Sequence, residues 1–378
     1  MKIAFAHHEP IDAGKARWVA IVRTLAAVAA RHPVHWYTPD TAPRIQAYAA
    51  DHLGLRLPPA LHIQTLPSVH KLAGLTINHV FFRACRKAVT KAGADVLWLR
   101  SDKLAAHFAR RVELPLVYEA HLVGPLWAQD GGKGARQVQR LETLERQLYA
   151  GCAGVAAITQ GLLDEVRARY AFAGPTAVVP SAVDTDVFRP TWQVGDGKTV
   201  AYVGTLQFWK GLETLLEAMA QAPNLRLLIV GGGSPSEEAT LRARISELNL
   251  QQRVELAGRL PQPQIPARVQ NAVCAVHPLP PKISISTRFT SPLKLFEYMA
   301  MGLPIVAADV PSAREVLQDG GNALLYSAGK PDALAAALGR LATDRELAAR
   351  LSANALRGAA AYTYDARAQK LVGLFAQV

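Results

Sequence analysis

Short apolar runs rich in β-branched residues alternate along the chain with longer stretches in which apolar residues recur at helical spacing. In the first half, these runs fall at residues 3–6, 34–37, 96–99, 116–118 and 155–158. A second series follows at residues 200–203, 227–230, 254–257, 273–276 and 305–307. Buried strands that alternate with helices predict a doubly wound parallel sheet, and here the pattern occurs twice.

The break between the two series lies near Phe188-Arg189-Pro190. We therefore expect an α/β protein with two Rossmann-like domains, residues 1–187 and residues 188–361, that face each other across a cleft. We also expect a C-terminal helix at residues 362–378 to cross back and complete the first domain. The length of 378 residues suits two domains of ordinary size.

Composition narrows the class of protein. The chain is 50% hydrophobic and 19% charged, which is sufficient for packed cores. No apolar run approaches the ~20 residues that span a bilayer, and the N-terminus becomes polar too early for a signal peptide. Cys85, Cys152 and Cys274 lack the spacing of a disulfide framework or a zinc site. These features predict a cytoplasmic protein.

Positive charge is concentrated in residues 71–111. The formal net charge is +12, and this segment contains only Asp95 and Asp102 as acidic residues. Its basic residues are Lys71, Arg83, Arg86, Lys87, Lys91, Arg100, Lys103, Arg110 and Arg111. The excess favours an anionic partner. Nucleic acid is the less favoured one, because no reading helix, zinc finger or aromatic platform is recognisable.

Residues 291–302 carry most of the functional information. Ser291 is a favoured N-cap residue, Pro292 suits the first helical position, and Gly302 suits the left-handed position after the last turn. The free N–H groups of such a helix start, with Lys294 in its first turn, predict an anion-binding site. Glu297 lies on the same face, where it can accept hydrogen bonds from hydroxyls. A phosphate beside a diol describes a nucleotide, although a plain amphipathic helix with a solvated Lys–Glu pair has the same pattern.

Glycines and polar residues follow the strands of the second series. Since ligands bind beyond the carboxyl ends of parallel strands, these positions are candidate binding residues. They are Gly204, Lys210-Gly211, Gly231-Gly232-Gly233, Gly258-Arg259, His277-Pro278 and Asp309.

Other chemical motifs are weaker. The Gly231-Gly232-Gly233 loop lacks the third glycine and the acidic residue of a dinucleotide fingerprint. Asp184 and Asp186 could hold magnesium against phosphates, but their position at the domain junction favours a turn or linker. The histidines lack metal-ligand spacing, and neither a nucleophile elbow nor a P-loop is present. We expect no metal site.

The order and spacing of these motifs are similar to those of one family. The chain resembles the retaining glycosyltransferases of family 4, which have the GT-B architecture of two Rossmann-like domains. The resemblance covers nearly the whole chain and rests on residues 155–159, 179–190, 202–206, 210–211, the Gly231 loop, 254–258 and 291–307. Several ordered motifs are far more specific than any one of them.

The resemblance implies that the second domain binds a nucleotide-diphosphate sugar. Lys210 and the helix start at Ser291 would hold the diphosphate, and Glu297 would hold the ribose hydroxyls. The backbone near Arg259 would touch the base. The residues expected around the donor are Gly14, Gly204, Thr205, Lys210, Gly232, Arg259, Leu260, Ser291, Pro292, Leu293, Lys294 and Glu297.

In the first domain, the resemblance implies that His121 faces the transferred sugar. Gly14 matches a loop that reaches toward donor and acceptor. An ordinary buried histidine at a strand end is the alternative for His121.

Two positions depart from the family pattern. Thr205 stands where an Arg often follows the glycine of the first loop, and Phe289 stands where a second Glu often precedes Glu297 by eight residues. Lys294 and Arg288 could replace the missing cation, as in a subgroup with a similar Ser-Pro-Leu-Lys sequence. The missing Glu leaves the contacts with the donor sugar open.

The resemblance also implies a mechanism without a protein nucleophile, a metal or another cofactor. The leaving diphosphate would accept the acceptor's proton, while Lys210 and Lys294 stabilise its growing charge. With His121 they are the expected catalytic residues. The alternatives are another GT-B enzyme, such as an epimerase or phosphorylase, and a non-catalytic subunit that binds sugar nucleotides.

The acceptor is expected in the first domain, as a glycan or a lipid-linked sugar. On a helical wheel, Ile77, Phe81, Ala84 and Ala88 share one face, with Phe82 near its border and Arg83, Arg86 and Lys87 opposite. This pattern is typical of an interfacial helix on anionic lipid, which would place the protein on the inner face of the membrane. An ordinary helix packed on the sheet, with its charges in water, has the same pattern.

Overall fold

The computed structural model describes residues 1–72, 75–109, 111–193 and 197–378. The chain divides into two compact units. The first comprises Met1–Pro180 and Tyr364–Val378, and the second comprises Ser181–Thr363. Each unit contains a parallel sheet with helices between its strands, which confirms the α/β class and the two Rossmann-like domains.

The first unit is built from short apolar strands. They are β1 (Ile3–Ala6), β2 (Val34–Thr38), β3 (Leu61–Thr65), β4 (Val69–Leu72), β5 (Leu75–Ile77), β6 (Val96–Leu99), β7 (Leu116–Ala120), β8 (Gly154–Ala157) and β9 (Thr176–Val178). Among the residues described, the main sheet has the order β3-β2-β1-β6-β7-β8-β9, and its strands are parallel. Strands β4 and β5 form a separate antiparallel pair.

Helices connect these strands. They are α1 (Ala16–Ala29), α2 (Ala42–Leu53), α3 (His79–Ala92), α4 (Asp102–Phe108), α5 (Gly124–Asp130), α6 (Ala135–Ala150) and α7 (Gln160–Tyr170). The C-terminal helix, which is numbered α16 in chain order (Tyr364–Phe375), also belongs to this unit. Its Ala368, Leu371 and Leu374 are buried in the same core as Phe5 and Trp98.

The second unit repeats the plan. Its strands are β10 (Thr199–Val203), β11 (Arg226–Val230), β12 (Val254–Gly258), β13 (Cys274–His277), β14 (Ile305–Asp309) and β15 (Leu324–Ser327). Its helices are α8 (Leu212–Gln221), α9 (Pro235–Glu247), α10 (Ile265–Val269), α11 (Ser284–Thr287), α12 (Leu293–Met301), α13 (Pro311–Arg314), α14 (Pro331–Thr343) and α15 (Arg345–Ala359). Within the described part of this unit, the parallel strands follow the order β12-β11-β10-β13-β14-β15.

The strands predicted from apolar runs are confirmed, with ends that differ by at most two residues. The strands that the sequence did not reveal are β3, β4, β5, β9 and β15. Strands β3, β9 and β15 lie at sheet edges. Edge strands carry shorter or more polar sequences, because one side of the strand is not covered by a neighbour.

The division between the units falls at Pro180, whereas the sequence placed it after residue 187. The difference has a structural reason, because the intervening residues bond within the second unit. The Ser181 N–H donates to the Ser291 hydroxyl (2.8 Å), and the Val183 N–H donates to the Tyr362 carbonyl (2.8 Å).

Candidate functional site

In the second unit, the strand order reverses direction between β10 and β13, which are neighbours in the sheet. Ligands of doubly wound sheets bind beyond the carboxyl ends of the strands at this switch point. Strand β10 ends at Val203 and is followed by Gly204, while β13 ends at His277. Side chains that meet here are therefore the first candidates for a ligand site.

Helix α12 is the helix at whose start the sequence predicts an anion-binding site. It begins at Leu293, and Pro292 occupies the N-cap position without a side-chain cap. The prediction that Ser291 caps this helix is wrong, because its hydroxyl and carbonyl oxygens accept hydrogen bonds from Ser181. Gly302 ends the helix with a φ of 70°, as predicted.

Lys294 extends from the first turn of α12 to the end of β10. Its Nζ lies 3.7 Å from the centre of the Tyr202 ring and 2.8 Å from the position that a Cβ on Gly204 would occupy. The side chain is 7% exposed, and its ammonium has no hydrogen-bond partner among the described residues. Burial and the charge on Lys210 hold the pKa of Lys294 well below its usual value.

Lys210 is the second cation at this edge. It ends a short 3₁₀ helix (Phe208–Lys210), and its Nζ lies 3.6 Å from the centre of the Trp209 ring. Burial lowers the pKa of Lys210 to about 7. The following Gly211 has a φ of 76°, and a Cβ there would lie 1.3 Å from the Pro278 carbonyl oxygen. Glycine at this position therefore allows the loop after β10 to approach the loop after β13.

His277 is a third nitrogen base at the same edge. Its side chain is 1% exposed, and neither ring nitrogen has a hydrogen-bond partner within the described structure. Burial, then the charges on Lys294 and Lys210, hold the pKa of His277 well below its usual value. The sequence marked His277 only as a residue after a strand. Its position beside the switch point was the available signal, but its missing partners appear only in three dimensions.

Glu297 is buried one turn after Lys294. Its Oε1 accepts a hydrogen bond from the Nε2 of Gln262 at 3.0 Å. Gln262 is also buried and was not identified from the sequence. Gln262 begins a 3₁₀ helix (Gln262–Gln264) shortly after β12. Its hydrogen bond to Glu297 therefore links α12 to the loop after β12.

The loops after β10, β11 and β12 are packed closely. A Cβ on Gly232 would lie 2.8 Å from Arg259, and the Arg259 guanidinium donates to the Gly233 carbonyl at 3.5 Å. Arg259 is exposed, and Leu260 packs partly buried against the core. Thr205 accepts a hydrogen bond from the Tyr202 hydroxyl through its carbonyl oxygen (2.8 Å).

Phe289, the position where the resemblance would have placed a Glu, is fully buried in the second unit. The guanidinium carbon of Arg288 lies 5.0 Å from the centre of its ring. The site is therefore apolar at this position, and its charged groups are predominantly cationic.

The first unit has its own group of charged residues at the carboxyl ends of its strands. His121 follows β7, and its Nε2 lies 2.8 Å from Oε1 of the buried Glu119. The Nε of Arg100, which follows β6, lies 3.0 Å from the same nitrogen. Burial and the charge on Arg100 lower the pKa of His121 to about 4, so the imidazole is neutral at physiological pH.

Arg367 of α16 binds the same Oε1 of Glu119, while the Nε1 of Trp98 donates to Oε2 at 3.0 Å. The Arg367 guanidinium donates to Glu119 and to the carbonyl oxygens of Val179 (2.6 Å) and Pro180. Burial alone would raise the pKa of Glu119, but Arg100 and Arg367 together lower it, so the carboxylate stays ionised. The sequence marked Arg100 only as part of the basic segment 71–111, and it did not mark Glu119 or Arg367 as site residues.

Gly14 lies in the loop between β1 and α1, and its N–H donates to the Asp12 carboxylate at 2.9 Å. The structure thus places Gly14 and His121 in the first unit and the other predicted donor residues in the second.

Helix α3 differs from the predicted interfacial helix. The apolar face of this helix packs inside the first unit, where it buries Phe81, Phe82, Cys85 and Val89. Phe82 therefore belongs to the buried face and not to the border of that face. Arg83, Arg86 and Lys87 are exposed, which fits the ordinary packed helix. Ile77 belongs to β5 and not to this helix. Arg110 and the side chains of Lys71 and Ile77 lie outside the described structure.

In the ranges that the structure describes, no three His, Cys, Asp or Glu side chains are grouped closely enough to hold a metal ion. No helix in those ranges combines the length and hydrophobicity needed to cross a bilayer. Asp184, considered above as a magnesium ligand, accepts the N–H groups of Asp186 (2.8 Å) and Val187 (3.2 Å), as in a turn.

Comparison with known families matches both halves of the chain. The model described as Glycosyltransferase Family 4 matches residues 18–187, and the model described as Glycosyl transferases group 1 matches residues 184–357. One curated relative is the D-inositol 3-phosphate glycosyltransferase of Corynebacterium glutamicum, which is 26% identical over 286 residues. The match covers 69% of this chain and 66% of that protein, slightly less than two thirds of its length.

Solved structures share the fold over the full length of this chain. Sucrose-phosphate synthase from Thermosynechococcus elongatus matches with a TM-score of 0.80 and 21% identity, covering 100% of this chain and 98% of that one. Anabaena HepE in complex with UDP-glucose matches with a TM-score of 0.75 and 19% identity, covering 100% of both chains.

Proposed function

Because the chain belongs to glycosyltransferase family 4, we propose that it is a retaining glycosyltransferase. It moves a sugar from a nucleotide-diphosphate sugar to a glycan or lipid-linked acceptor, as a step in glycan or polysaccharide biosynthesis. The observation that carries this proposal is the pair Lys210 and Lys294 at the switch point of the second unit, where the buried Lys294 ammonium has no hydrogen-bond partner among the described residues.

The unpaired cation favours an anionic ligand for a physical reason. A buried polar group without a hydrogen bond costs about 1–3 kcal/mol, and more when the group is charged. A diphosphate supplies both the missing acceptors and the missing negative charge. Gly204 leaves room for this ligand, since a Cβ there would lie beside the Lys294 ammonium. The solved complex of HepE with UDP-glucose supports the same class of donor.

Glu297 provides the second part of donor recognition. A buried carboxylate held by Gln262 is fixed in orientation and retains acceptor capacity for two ribose hydroxyls. The backbone of Arg259 and Leu260, in the loop after β12, is proposed to contact the base of the nucleotide. This arrangement recognises the nucleotide more than the sugar, since Phe289 offers no polar group.

The chemical step follows from where charge develops. As the bond from the sugar to the diphosphate breaks, negative charge grows on the leaving oxygen and positive charge grows on the anomeric carbon. Lys210 and Lys294 stabilise the leaving group electrostatically. The leaving diphosphate then accepts the proton of the attacking hydroxyl on the same face, so configuration is retained. No metal is needed, because the lysines provide the compensating charge.

In the first unit, His121 is proposed to face the transferred sugar. Its neutral ring can form a hydrogen bond to a sugar hydroxyl, and its orientation is set by Glu119 and Arg100. Glu119 and Arg100 act here as positioning residues.

A screen of donors tests the proposal. Thermal unfolding is measured with UDP-, GDP-, ADP- and dTDP-sugars, because a ligand at about 100 times its Kd stabilises by about 2.7 kcal/mol. We expect the protein to prefer donors with one base. It should hydrolyse the preferred donor or transfer its sugar, and an α-configured donor should give an α-configured product. Binding without turnover would favour the non-catalytic subunit, and an altered free nucleotide sugar would favour an epimerase. Failure of every donor to stabilise the protein contradicts the donor site.

A basic groove in the first unit supports an anionic surface as an additional partner. It is lined by His79 of α3, Lys103 and His107 of α4, Arg140 of α6, and Arg111, which follows α4. The adjoining surface carries Arg86, Lys87 and Lys91, and Val80 nearby is exposed. We therefore propose peripheral binding to anionic membranes on the cytoplasmic side. Sedimentation with anionic liposomes at low salt should capture the protein, and high salt or neutral liposomes should release it. Absence of capture at low salt removes this partner.

A further inference from the structure

His277 lies at the switch point of the second unit, but the proposed function assigns it no role. It is the last residue of β13, next to β10 at the point where the strand order reverses. The loop that follows approaches the Lys210 loop so closely that only glycine fits at position 211. His277 therefore lies between the two lysine-bearing segments.

The imidazole of His277 has two ring nitrogens, and neither finds a hydrogen-bond partner in the described part of the chain. The side chain is buried as deeply as the core residues around it. Buried polar groups in proteins are almost always hydrogen-bonded, so a doubly unpartnered imidazole requires an explanation. One explanation is a ligand that supplies the partner on binding.

The charged and titratable groups around His277 define the chemistry of such a ligand. The charges that act on His277 are those of Lys294, from α12, and Lys210, from the loop before α8. Helix α12 also carries Glu297, whose charge acts on Lys294. Strand β10 contributes Tyr202 beneath Lys294. Glu297, the carboxylate in this set, accepts from Gln262. The balance is cationic, so the missing partner is an anion with several acceptor oxygens.

We propose that His277 is a third ligand of the donor diphosphate, donating a ring N–H to a phosphate oxygen beside Lys210 and Lys294. This inference rests on the proposed donor site and adds to it a residue that binds the leaving group. The imidazole, neutral before the diphosphate binds, takes up one proton from solvent on binding, and it releases that proton when the nucleotide product leaves. At His277, this N–H bond is the one bond that forms and breaks.

If His277 were a core histidine that does not touch the ligand, its substitution would affect nucleotide binding differently. In that case, an apolar ring of similar size at position 277 would keep nucleotide binding unchanged, since only packing would matter. Two variants separate these cases. His277→Phe removes both nitrogens and keeps a ring, whereas His277→Gln keeps a donor near the position of Nε2 but cannot take up a proton.

Calorimetric titration with UDP, or whichever of UDP, GDP, ADP and dTDP binds the wild type best, tests the proposal. Measurements in two buffers of different ionisation enthalpy give the number of protons taken up. We expect His277→Phe to weaken binding by about tenfold or more, the scale of a hydrogen bond to a charged group. His277→Gln should recover part of the affinity, and both variants should take up less proton than the wild type. Lys282→Ala, an exposed lysine in the loop after β13, is the matched control and should change neither quantity.

A spectroscopic measurement keeps the proposal testable if the Phe variant folds poorly. His277 is the only histidine between residues 181 and 363. Its ring signals in ¹⁵N-histidine-labelled full-length protein can therefore be identified by their loss in His277→Gln. They should change from a neutral to a protonated ring when UDP is added. Wild-type-like affinity and proton uptake in His277→Phe, or ring signals that stay neutral, would overturn the role of His277 and leave the donor site intact. A wild type that binds none of the four nucleotides would overturn the donor site itself.

Discussion

The two units use the same edge of the same kind of sheet in opposite electrostatic ways. In the first unit, the buried cations Arg100 and Arg367 share the buried carboxylate of Glu119. In the second unit, Lys294 is equally enclosed but has neither a hydrogen-bond nor an ion-pair partner among the described residues. The first edge supplies a carboxylate to its buried cations, although Nη1 of Arg100 has no hydrogen-bond partner among the described residues, whereas Lys294 at the second edge is in no ion pair of the described structure.

This difference indicates where each unit gains or loses stability. A buried ion pair costs desolvation that the attraction between its members offsets, so removing one member leaves the other uncompensated. An unpaired buried lysine already carries that cost in the folded state, and its depressed pKa reflects it. Substitutions at the two edges should therefore change stability in opposite directions.

The largest effect is expected from Arg367→Ala in the first unit. Loss of this guanidinium leaves Glu119 with less compensation and removes bonds to Val179 and Pro180. Unfolding in urea should show a loss of about 3–5 kcal/mol, the range for breaking a buried pair. Lys370→Ala, an exposed position on the same helix, should stay within about 0.5 kcal/mol of wild type. An Arg367→Ala protein as stable as this control would contradict the account of the first edge.

Lys294→Met tests the corresponding edge of the second unit. Turnover should fall by about 10²-fold or more, because one stabilising cation is missing from the leaving group. Stability should stay equal or rise, since the variant no longer buries an unpaired ammonium. Lys210→Ala should show a similar loss of turnover, and the exposed Lys282→Ala should show none. Near wild-type turnover of purified Lys294→Met and Lys210→Ala proteins would exclude their catalytic role.

The pH dependence of nucleotide affinity should reveal the unpaired edge without any substitution. The pKa of Lys210 is about 7 in the free protein, and an anionic ligand raises it by favouring the ammonium. Affinity should therefore be highest below about pH 7 and fall by up to about tenfold per pH unit above it, until the pKa of the complex is reached. Kd values for the diphosphate from titration across this range check the sign. Affinity that is constant or rises with pH is incompatible with the mechanism.

The smallest effect is expected from Glu297→Ala. Loss of the carboxylate should raise the donor KM several-fold, about 1 kcal/mol for a lost hydrogen bond, with little change in kcat. The reason is that the ribose hydroxyls are held equally in the ground state and the transition state. Glu315→Ala is an exposed control in the same unit. A fall in kcat with an unchanged KM would assign Glu297 to the chemical step instead.

Most of the fold could be predicted from the sequence because the buried strands are nearly continuous apolar runs. Val96–Leu99, for example, is buried throughout and was predicted without error. Thr176–Val178 was missed because three partly exposed residues carry no periodic signal. The compact units divide at Pro180, and not after residue 187, because Ser181 is bonded to Ser291, 110 positions away in the second unit.

The candidate site was predicted less completely. Lys210, Lys294 and Glu297 follow from local motifs, and the structure brings Lys210 and Lys294 to one edge. Ser291 was assigned to the wrong task because a good N-cap residue can also bond to a distant chain segment. Arg367 and Glu119 are separated by 248 positions, so no local pattern relates them. The functional roles proposed for Arg367 and Glu119, like those of His121 and Gly14, stay predictions.

The aromatic ring of Tyr202 determines how strongly the protein itself holds the Lys294 ammonium. A carboxylate beneath Lys294 would hold the ammonium tightly and repel a phosphate, whereas a ring attracts it through a weak quadrupole. The Tyr202 hydroxyl is bonded to the Thr205 carbonyl, which keeps the ring in place whether or not the ammonium rests on it. The contact of Lys294 with the ring is thus weak, and we expect a phosphate to displace it more readily than it would displace a carboxylate.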